Sequence, residues 1–311
     1  MSQSNKILDY VGSTPLVELS HVSVNADVRI FAKLEGYNPT GSIKDRVAKY
    51  LVASAEVAGH IRPGDTLVEA STGNTGLALA LVGKQKGYKV KIVLPSLATP
   101  GVADMLLTYG VEVVWCEPDV GMKGAIQLAE RLGREPGCFN TRQFESQYNC
   151  LAHYETTGLE IVQSLSRVDM LIAGIGTGGT LMGVGKRLRE YNPDVRIIGV
   201  EPKMGEQLQG LRNLQEGYVP PLLDLDKLSG RFLVDSETAF ASSKELLEAE
   251  GIFAGVSSGA VLHCAQRLAK RLDTGNIVVV FADAGWKYLQ SGPWKEEMES
   301  RMVNPDDTAW W

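Results

Sequence analysis

Short apolar runs rich in β-branched residues recur along the chain and alternate with stretches whose apolar positions return every three or four residues. The first pattern predicts strands at Arg29–Leu34, Thr66–Glu69, Lys89–Leu94, Glu112–Trp115, Met170–Ala173, Arg196–Val200 and Ile277–Phe281. The second predicts amphipathic helices at Arg46–Ala58, Asn74–Lys86, Met122–Leu132, Tyr154–Ser164, Leu181–Glu190, Thr238–Glu250 and Gly259–Leu272. Gly59 and Gly87 follow the first two helices where a left-handed cap favours glycine. The strand–helix rhythm implies an α/β protein with parallel sheets covered by helices on both faces. It occurs twice, one set running to about residue 145 and the other beginning near His153, with the polar, turn-rich stretch Glu135–Asn149 as the seam. Two open α/β units of this kind form a cleft at the carboxyl ends of their strands, where ligands bind.

The joints between these elements carry the candidate chemistry. Lys44, in Asn38-Pro39-Thr40-Gly41-Ser42-Ile43-Lys44-Asp45-Arg46, follows a Pro/Gly turn and stands at a helix start. The positive end of the helix dipole and partial burial both disfavour its ammonium form, leaving a neutral amine able to attack an aldehyde. An exposed loop lysine is the plainer reading of the same stretch. Gly174-Ile175-Gly176-Thr177-Gly178-Gly179-Thr180 joins an apolar strand to a helix, so backbone N–H groups converge on one point and the glycines let a phosphate come close. A tight turn would need fewer glycines. Gly174, Gly176 and Gly179 also satisfy the dinucleotide pattern G-x-G-x-x-G, with Glu201 placed as a ribose-binding acid, so a nicotinamide-dependent dehydrogenase is the alternative from another class. Ser71-Thr72-Gly73-Asn74-Thr75-Gly76 offers hydroxyls and free N–H groups at another helix start, suited to a small carboxylate, although good capping residues would look similar. Ser257, in Gly255-Val256-Ser257-Ser258-Gly259, can bond a ring nitrogen without holding it protonated.

Composition narrows the classes. A chain of 311 residues suffices for two domains, and a net charge of −6 argues against nucleic acid as the main partner. Cys116, Cys138, Cys150 and Cys264 are scattered and read as reduced thiols of a cytoplasmic protein. Four histidines leave little material for a His-rich metal centre. The first six residues lack the apolar core of a signal peptide, and no apolar run approaches membrane-spanning length.

Taken together, Gly12–Val17, Asn38–Arg46, Ser71–Gly76, Gly174–Thr180 and Gly251–Gly259 resemble the cysteine synthase family of fold-type II pyridoxal-phosphate enzymes, over nearly the whole chain. The resemblance implies two open twisted parallel-sheet domains with the active site between them. The smaller and mobile one would span 40–150, and the larger would comprise 1–39 and 151–311, with a tail from about 295. It further implies a cytoplasmic homodimer, pyridoxal 5′-phosphate as cofactor, no metal, and a transferase that makes L-cysteine by β-replacement through an α-aminoacrylate. Lys44 resembles the lysine that holds the cofactor and shuttles the α-proton. Gly176, Thr177, Gly178, Gly179 and Thr180 resemble the phosphate cup, Asn74 the neighbour of the cofactor's 3′-oxygen, and Ser257 the partner of its ring nitrogen. Ser71, Thr72, Thr75 and Gln143 resemble the substrate-carboxylate site.

Gly210-Leu211-Arg212-Asn213 is similar to the O-phosphoserine sulfhydrylase branch, in which an arginine pairs with the substrate phosphate. That makes O-phosphoserine the expected substrate, with O-acetylserine as the alternative. A cystathionine β-synthase is disfavoured by the lack of a haem-binding extension and a regulatory domain. The chain ends in Thr308-Ala309-Trp310-Trp311. Such an end reads as a lid over the active site, and the expected sulfur donor is sulfide or a small carrier protein whose thiocarboxylated end displaces the lid.

Overall fold

The computed structural model describes residues 6–96, 98, 100–117, 121–289, 294–296 and 298. Among these residues ten strands fall into two sheets. They are β1 (Leu16–Glu18), β2 (Val28–Leu34), β3 (Thr66–Ala70), β4 (Lys89–Leu94), β5 (Glu112–Trp115), β6 (Cys138–Asn140), β7 (Met170–Gly174), β8 (Arg196–Pro202), β9 (Gly230–Val234) and β10 (Gly275–Phe281). The larger sheet has the order β1-β2-β10-β7-β8-β9 and the smaller β5-β4-β3-β6. All pairings are parallel except β1 with β2, so the all-parallel expectation is corrected at one edge. Strand β2 lies against β10 in the larger sheet rather than with the strands that follow it in sequence. The chain therefore leaves the larger sheet after β2, builds the smaller one from β3 to β6, and returns.

The helices are α1 (Lys44–Val57), α2 (Asn74–Lys86), α3 (Pro100–Thr108), α4 (Gly121–Leu132), α5 (Gln147–Ala152), α6 (Gly158–Ser164), α7 (Gly179–Tyr191), α8 (Ser236–Glu250) and α9 (Val256–Ala269). A π-helical turn, His153–Thr157, fuses α5 to α6. The helix expected from Tyr154 thus begins earlier and carries a widened turn, a feature common at functional sites. The polar, turn-rich stretch Glu135–Asn149 contains β6 and the start of α5, and β9 and α3 add to the elements that the sequence pattern predicts.

The burial pattern explains the layers. Along β10, Ile277, Val279 and Phe281 enter one core cluster and Val278 and Val280 enter the other, so both faces of the sheet are covered by helices. The smaller sheet is likewise covered on both faces. Among the described residues no helix is long and apolar enough to cross a membrane, and no cluster of His, Cys, Asp and Glu is arranged to hold a metal.

Candidate active site

The carboxyl ends of β3, β7, β8 and β10 open onto one cleft of about 330 Å³. Lys44, Ser71, Thr72, Asn74, Thr75, Gln143, Gly176, Thr177, Gly178, Thr180, Arg212 and Ser257 all line it.

Lys44 is the first residue of α1. The preceding loop is pinned to the end of β10: Ile43 N–H donates to Ala282 O at 2.8 Å, and Ala284 N–H donates to Gly41 O at 3.0 Å. Gly41 has φ +78°, and a Cβ there would lie 2.7 Å from the Trp286 ring, so both backbone and space demand glycine. Thr40 N–H and its hydroxyl both donate to the Asp45 carboxylate, which ties the loop to the first turn of α1. Burial lowers the pKa of the Lys44 ammonium, against the opposing pull of the Asp283 and Glu35 carboxylates. That is the direction needed to obtain a free amine.

The glycine-rich loop connects β7 to α7. Gly178 has φ +86° and its missing Cβ would fall 2.8 Å from Leu223 Cβ, while a Cβ on Gly176 would meet Gly210 O at 2.8 Å. Larger residues would close this cradle. Gly179 is the exception among the expected cup residues. It does not line the cleft; it faces Asn149, and its N–H donates to Thr177 Oγ1 at 3.3 Å.

In the loop that leads into α2, Ser71 Oγ accepts from Gly73 and Gly76 N–H at 3.0 and 3.2 Å, so its oxygen shapes the turn, whereas Thr72 is exposed to the cleft. Thr75 Oγ1 donates to Gln143 Oε1 at 2.6 Å, and Gln143 Nε2 donates to Ala70 O at 2.8 Å. The two residues expected to share a carboxylate are thus already joined. Ser257 is buried in the first turn of α9.

Three residues that were not singled out in the sequence complete the floor. Asn74 Nδ2 donates to Asp283 Oδ2 at 2.6 Å, and Tyr288 OH donates to the same oxygen. Lys287 Nζ donates to Thr40 O at 2.9 Å. Asp283 is buried, its Oδ1 has no partner, and burial raises its pKa. A signal for it existed: an acid directly after the apolar run of β10, at the carboxyl end of a parallel strand.

Arg212 lies between two rings, its guanidinium carbon 5.2 Å from the Phe144 centroid and 5.1 Å from that of Tyr218. Its buried Nε has no hydrogen-bond partner, and burial lowers its pKa. Glu201 contradicts the dinucleotide alternative. It is buried away from the cleft, accepting Leu214 N–H at 2.8 Å and Arg231 Nη1 at 3.0 Å, so it is not offered to a ribose.

These groups fit pyridoxal phosphate. A crowded glycine cradle with two threonine hydroxyls suits its phosphate, a desolvated lysine its aldehyde, and a buried serine hydroxyl its ring nitrogen. The lid expected of Thr308–Trp311 lies outside the described residues; Trp294, where the tail begins, is buried edge-on to Phe240 and Phe253.

Comparison with known proteins agrees. The family model described as pyridoxal-phosphate dependent enzyme matches residues 7–283. Cysteine synthase B of Pseudomonas aeruginosa is 39% identical over 287 residues, covering 92% of this chain and 96% of the relative. Among solved structures, an O-ureido-L-serine synthase superposes with a TM-score of 0.88 at 35% identity, over 93% of this chain and 94% of its own. A hydrogen sulfide-producing enzyme of Fusobacterium nucleatum reaches 0.87 at 34% identity, over 92% and 100%. The chain is a pyridoxal-phosphate dependent enzyme of the cysteine synthase family.

Proposed function

We propose that this enzyme makes L-cysteine by replacing the β-phosphate of O-phosphoserine with sulfur. The observation that carries the reading is Arg212, a half-buried guanidinium in the cleft with a buried, unpartnered Nε. Its stacking on Phe144 and Tyr218 orients the planar fork, and a phosphate dianion can accept two parallel N–H bonds from it, whereas an acetyl ester offers no charge to pair. The scaffold is shared with an O-ureido-L-serine synthase and a hydrogen sulfide-producing enzyme, so the leaving group and nucleophile must be selected by side chains such as this one.

The remaining residues divide the work. When bound, pyridoxal phosphate supplies the electron sink that acidifies Cα–H and weakens the bond from Cβ to its leaving group. Gly176, Thr177, Gly178 and Thr180 hold its phosphate, Asn74 faces its 3′-oxygen, and Ser257 bonds its ring nitrogen without adding a charge. Thr72, Thr75 and Gln143, with the turn shaped by Ser71, hold the amino acid's carboxylate. Lys44, whose ammonium form burial disfavours, takes the proton from Cα and returns it after sulfur has bonded to Cβ and inorganic phosphate has left. The sulfur arrives as sulfide or as the thiocarboxylated end of a small carrier protein, in which case water must then cleave the acyl–sulfur bond, releasing L-cysteine and the carrier's carboxylate. The smaller sheet, with the carboxylate-binding turn, closes on the larger, and the enzyme works as a homodimer.

The decisive experiment compares kcat/KM of Arg212→Ala with O-phosphoserine and O-acetylserine. Phosphoserine turnover is expected to fall by about a hundredfold, the loss of one charge-assisted pair, with acetylserine changed far less. Equal losses with both substrates would remove Arg212 from leaving-group recognition.

A further inference from the structure

We propose that Asn149 and His153, one turn apart on the helix running from Gln147 through Ser164, are positioning residues that aim the hydroxyl protons of Thr177 and Thr180 at the cofactor phosphate. The inference concerns the cofactor alone and holds whichever amino acid is the substrate.

Counting donors and acceptors leads to it. Asn149 is fully buried, and its Nδ2 donates to Gln143 O at 2.8 Å and to Thr177 Oγ1 at 2.9 Å. The amide cannot be turned over, because its oxygen would then face the Gln143 carbonyl, which only accepts. Thr177 Oγ1 also accepts from Gly179 N–H at 3.3 Å. With both of its acceptor positions filled, the single hydroxyl hydrogen of Thr177 has to point elsewhere, and this residue lines the cleft. The orphaned Asn149 Oδ1 falls 2.0 Å from where a Cβ on Gly179 would stand, so glycine at 179 is what admits the amide.

His153 does the same for the second threonine. It is fully buried, with Nε2 3.3 Å from Thr180 Oγ1 and Nδ1 3.1 Å from Thr157 Oγ1. Burial first, with the Arg46 guanidinium adding to it, holds its pKa well below the usual range, so the ring is neutral and has one donor and one acceptor. A phosphate dianion accepts only. Thr180 must therefore donate to it and receive from His153 Nε2–H, and Nδ1 must accept from the Thr157 hydroxyl. One polarity of the chain Thr157→His153→Thr180→phosphate is compatible with the ligand. The distance is set by tight packing of α7: a Cβ on Gly183 would sit 2.2 Å from Cys150 O and 2.8 Å from His153 Cβ. The π-turn that begins at His153 lies at this contact.

The test uses holoenzyme labelled with 15N-histidine. Long-range 15N–1H correlation is expected to show His153, assigned by its loss in His153→Gln, as the Nε2–H tautomer; an Nδ1–H tautomer overturns the proposal. In parallel, the pyridoxal phosphate dissociation constant is measured by equilibrium dialysis, with the 31P shift of the bound cofactor and the melting point of each apoprotein. Asn149→Ala and His153→Leu are each expected to raise the constant about tenfold, the scale of one oriented hydrogen bond to a charged acceptor, and to move the 31P resonance. His153→Gln, which keeps a side-chain donor, is expected to regain most of the loss. Unchanged affinity and 31P shift in Asn149→Ala or His153→Leu, or equal behaviour of the Gln and Leu variants, refutes the role. Should His153→Leu fail to fold, the tautomer and Asn149→Ala decide.

Discussion

Glu160 and Glu69 are both carboxylates largely withdrawn from water, yet one is held at about 2 and the other is pushed up to about 7. The difference lies in what surrounds them. Burial would raise Glu160, but the guanidinium of Arg46 and the ammonium of Lys33 outweigh it. Arg46 Nη1 and Nη2 lie 2.6 and 2.8 Å from its oxygens, and Lys33 Nζ lies 2.6 Å away. Arg46 also clasps buried Glu35 at 2.7 and 2.9 Å, so two cations meet two carboxylates. Glu69 has only neutral donors: the Thr141 hydroxyl at 2.6 Å and the N–H groups of Gln143 and Ala70, both at 2.9 Å. Burial wins there. The balanced network anchors the helix that begins with Lys44 to the larger sheet. The neutral one lies beneath the Gln143 loop in the smaller sheet, where it leaves a carboxyl that titrates near neutrality.

Removing the shared cation should have the largest effect. Arg46→Met strands Glu35 and Glu160 in the interior and is expected to cost about 3–5 kcal/mol, read from urea unfolding of the apoprotein. Because α1 also sets Lys44, the variant should bind cofactor more weakly even where it stays folded. A loss below about 1 kcal/mol would mean that the network is structurally idle.

The two carboxylates then predict opposite pH behaviour. The folded state holds the Glu69 proton more tightly than the unfolded chain does. Its stabilising contribution is complete below about pH 4.5, shrinks as pH rises toward about 7, and is flat beyond, a change of up to ~3 kcal/mol. Glu69→Gln should flatten that decline in urea unfolding between pH 4.5 and 7. If the wild-type slope there survives the substitution, Glu69 is not its source. Glu160 works the other way: its contribution is present above about pH 4.5 and is lost as pH falls toward about 2. Its side chain is 20% exposed, so solvent screening trims the loss to ~2 kcal/mol. Glu160→Gln should remove the acid-side slope while leaving the decline between pH 4.5 and 7 intact.

Much of this architecture was legible in the chain. The two-sided apolar run of β10 and the glycines after α1 and α2 placed core strands and helix ends to within a few residues, because burial and left-handed caps leave local signatures. The three-residue strand β6 and the edge strand β9, which alternates exposed and half-buried positions, leave almost none. The site shows the same division. Lys44, the glycine loop and the Ser71–Gly76 turn were visible because their chemistry is concentrated in consecutive residues. Asp283, Asn149 and His153 are single polar residues in otherwise ordinary helices and strand ends, and only folding brings them to Asn74, Thr177 and Thr180. Glu201 erred in the other direction: its spacing matched a ribose acid, but its oxygens are taken by Arg231 and a backbone N–H.

The smallest effect sharpens the contrast most directly. Thr141→Val deletes one neutral donor to Glu69 and keeps the side chain's shape. The lost hydrogen bond stabilises the ionised carboxyl, so its removal should push the Glu69 pKa higher still. The cost should therefore depend on pH. Near pH 5 the carboxyl is protonated in both proteins and the variant loses little. Near pH 8 it must ionise with one donor fewer, and the variant should be about 1 kcal/mol less stable than its pH 5 deficit indicates. A pH-independent deficit would mean that Thr141 contributes through packing alone, and that the remaining N–H donors already set the acidity of Glu69.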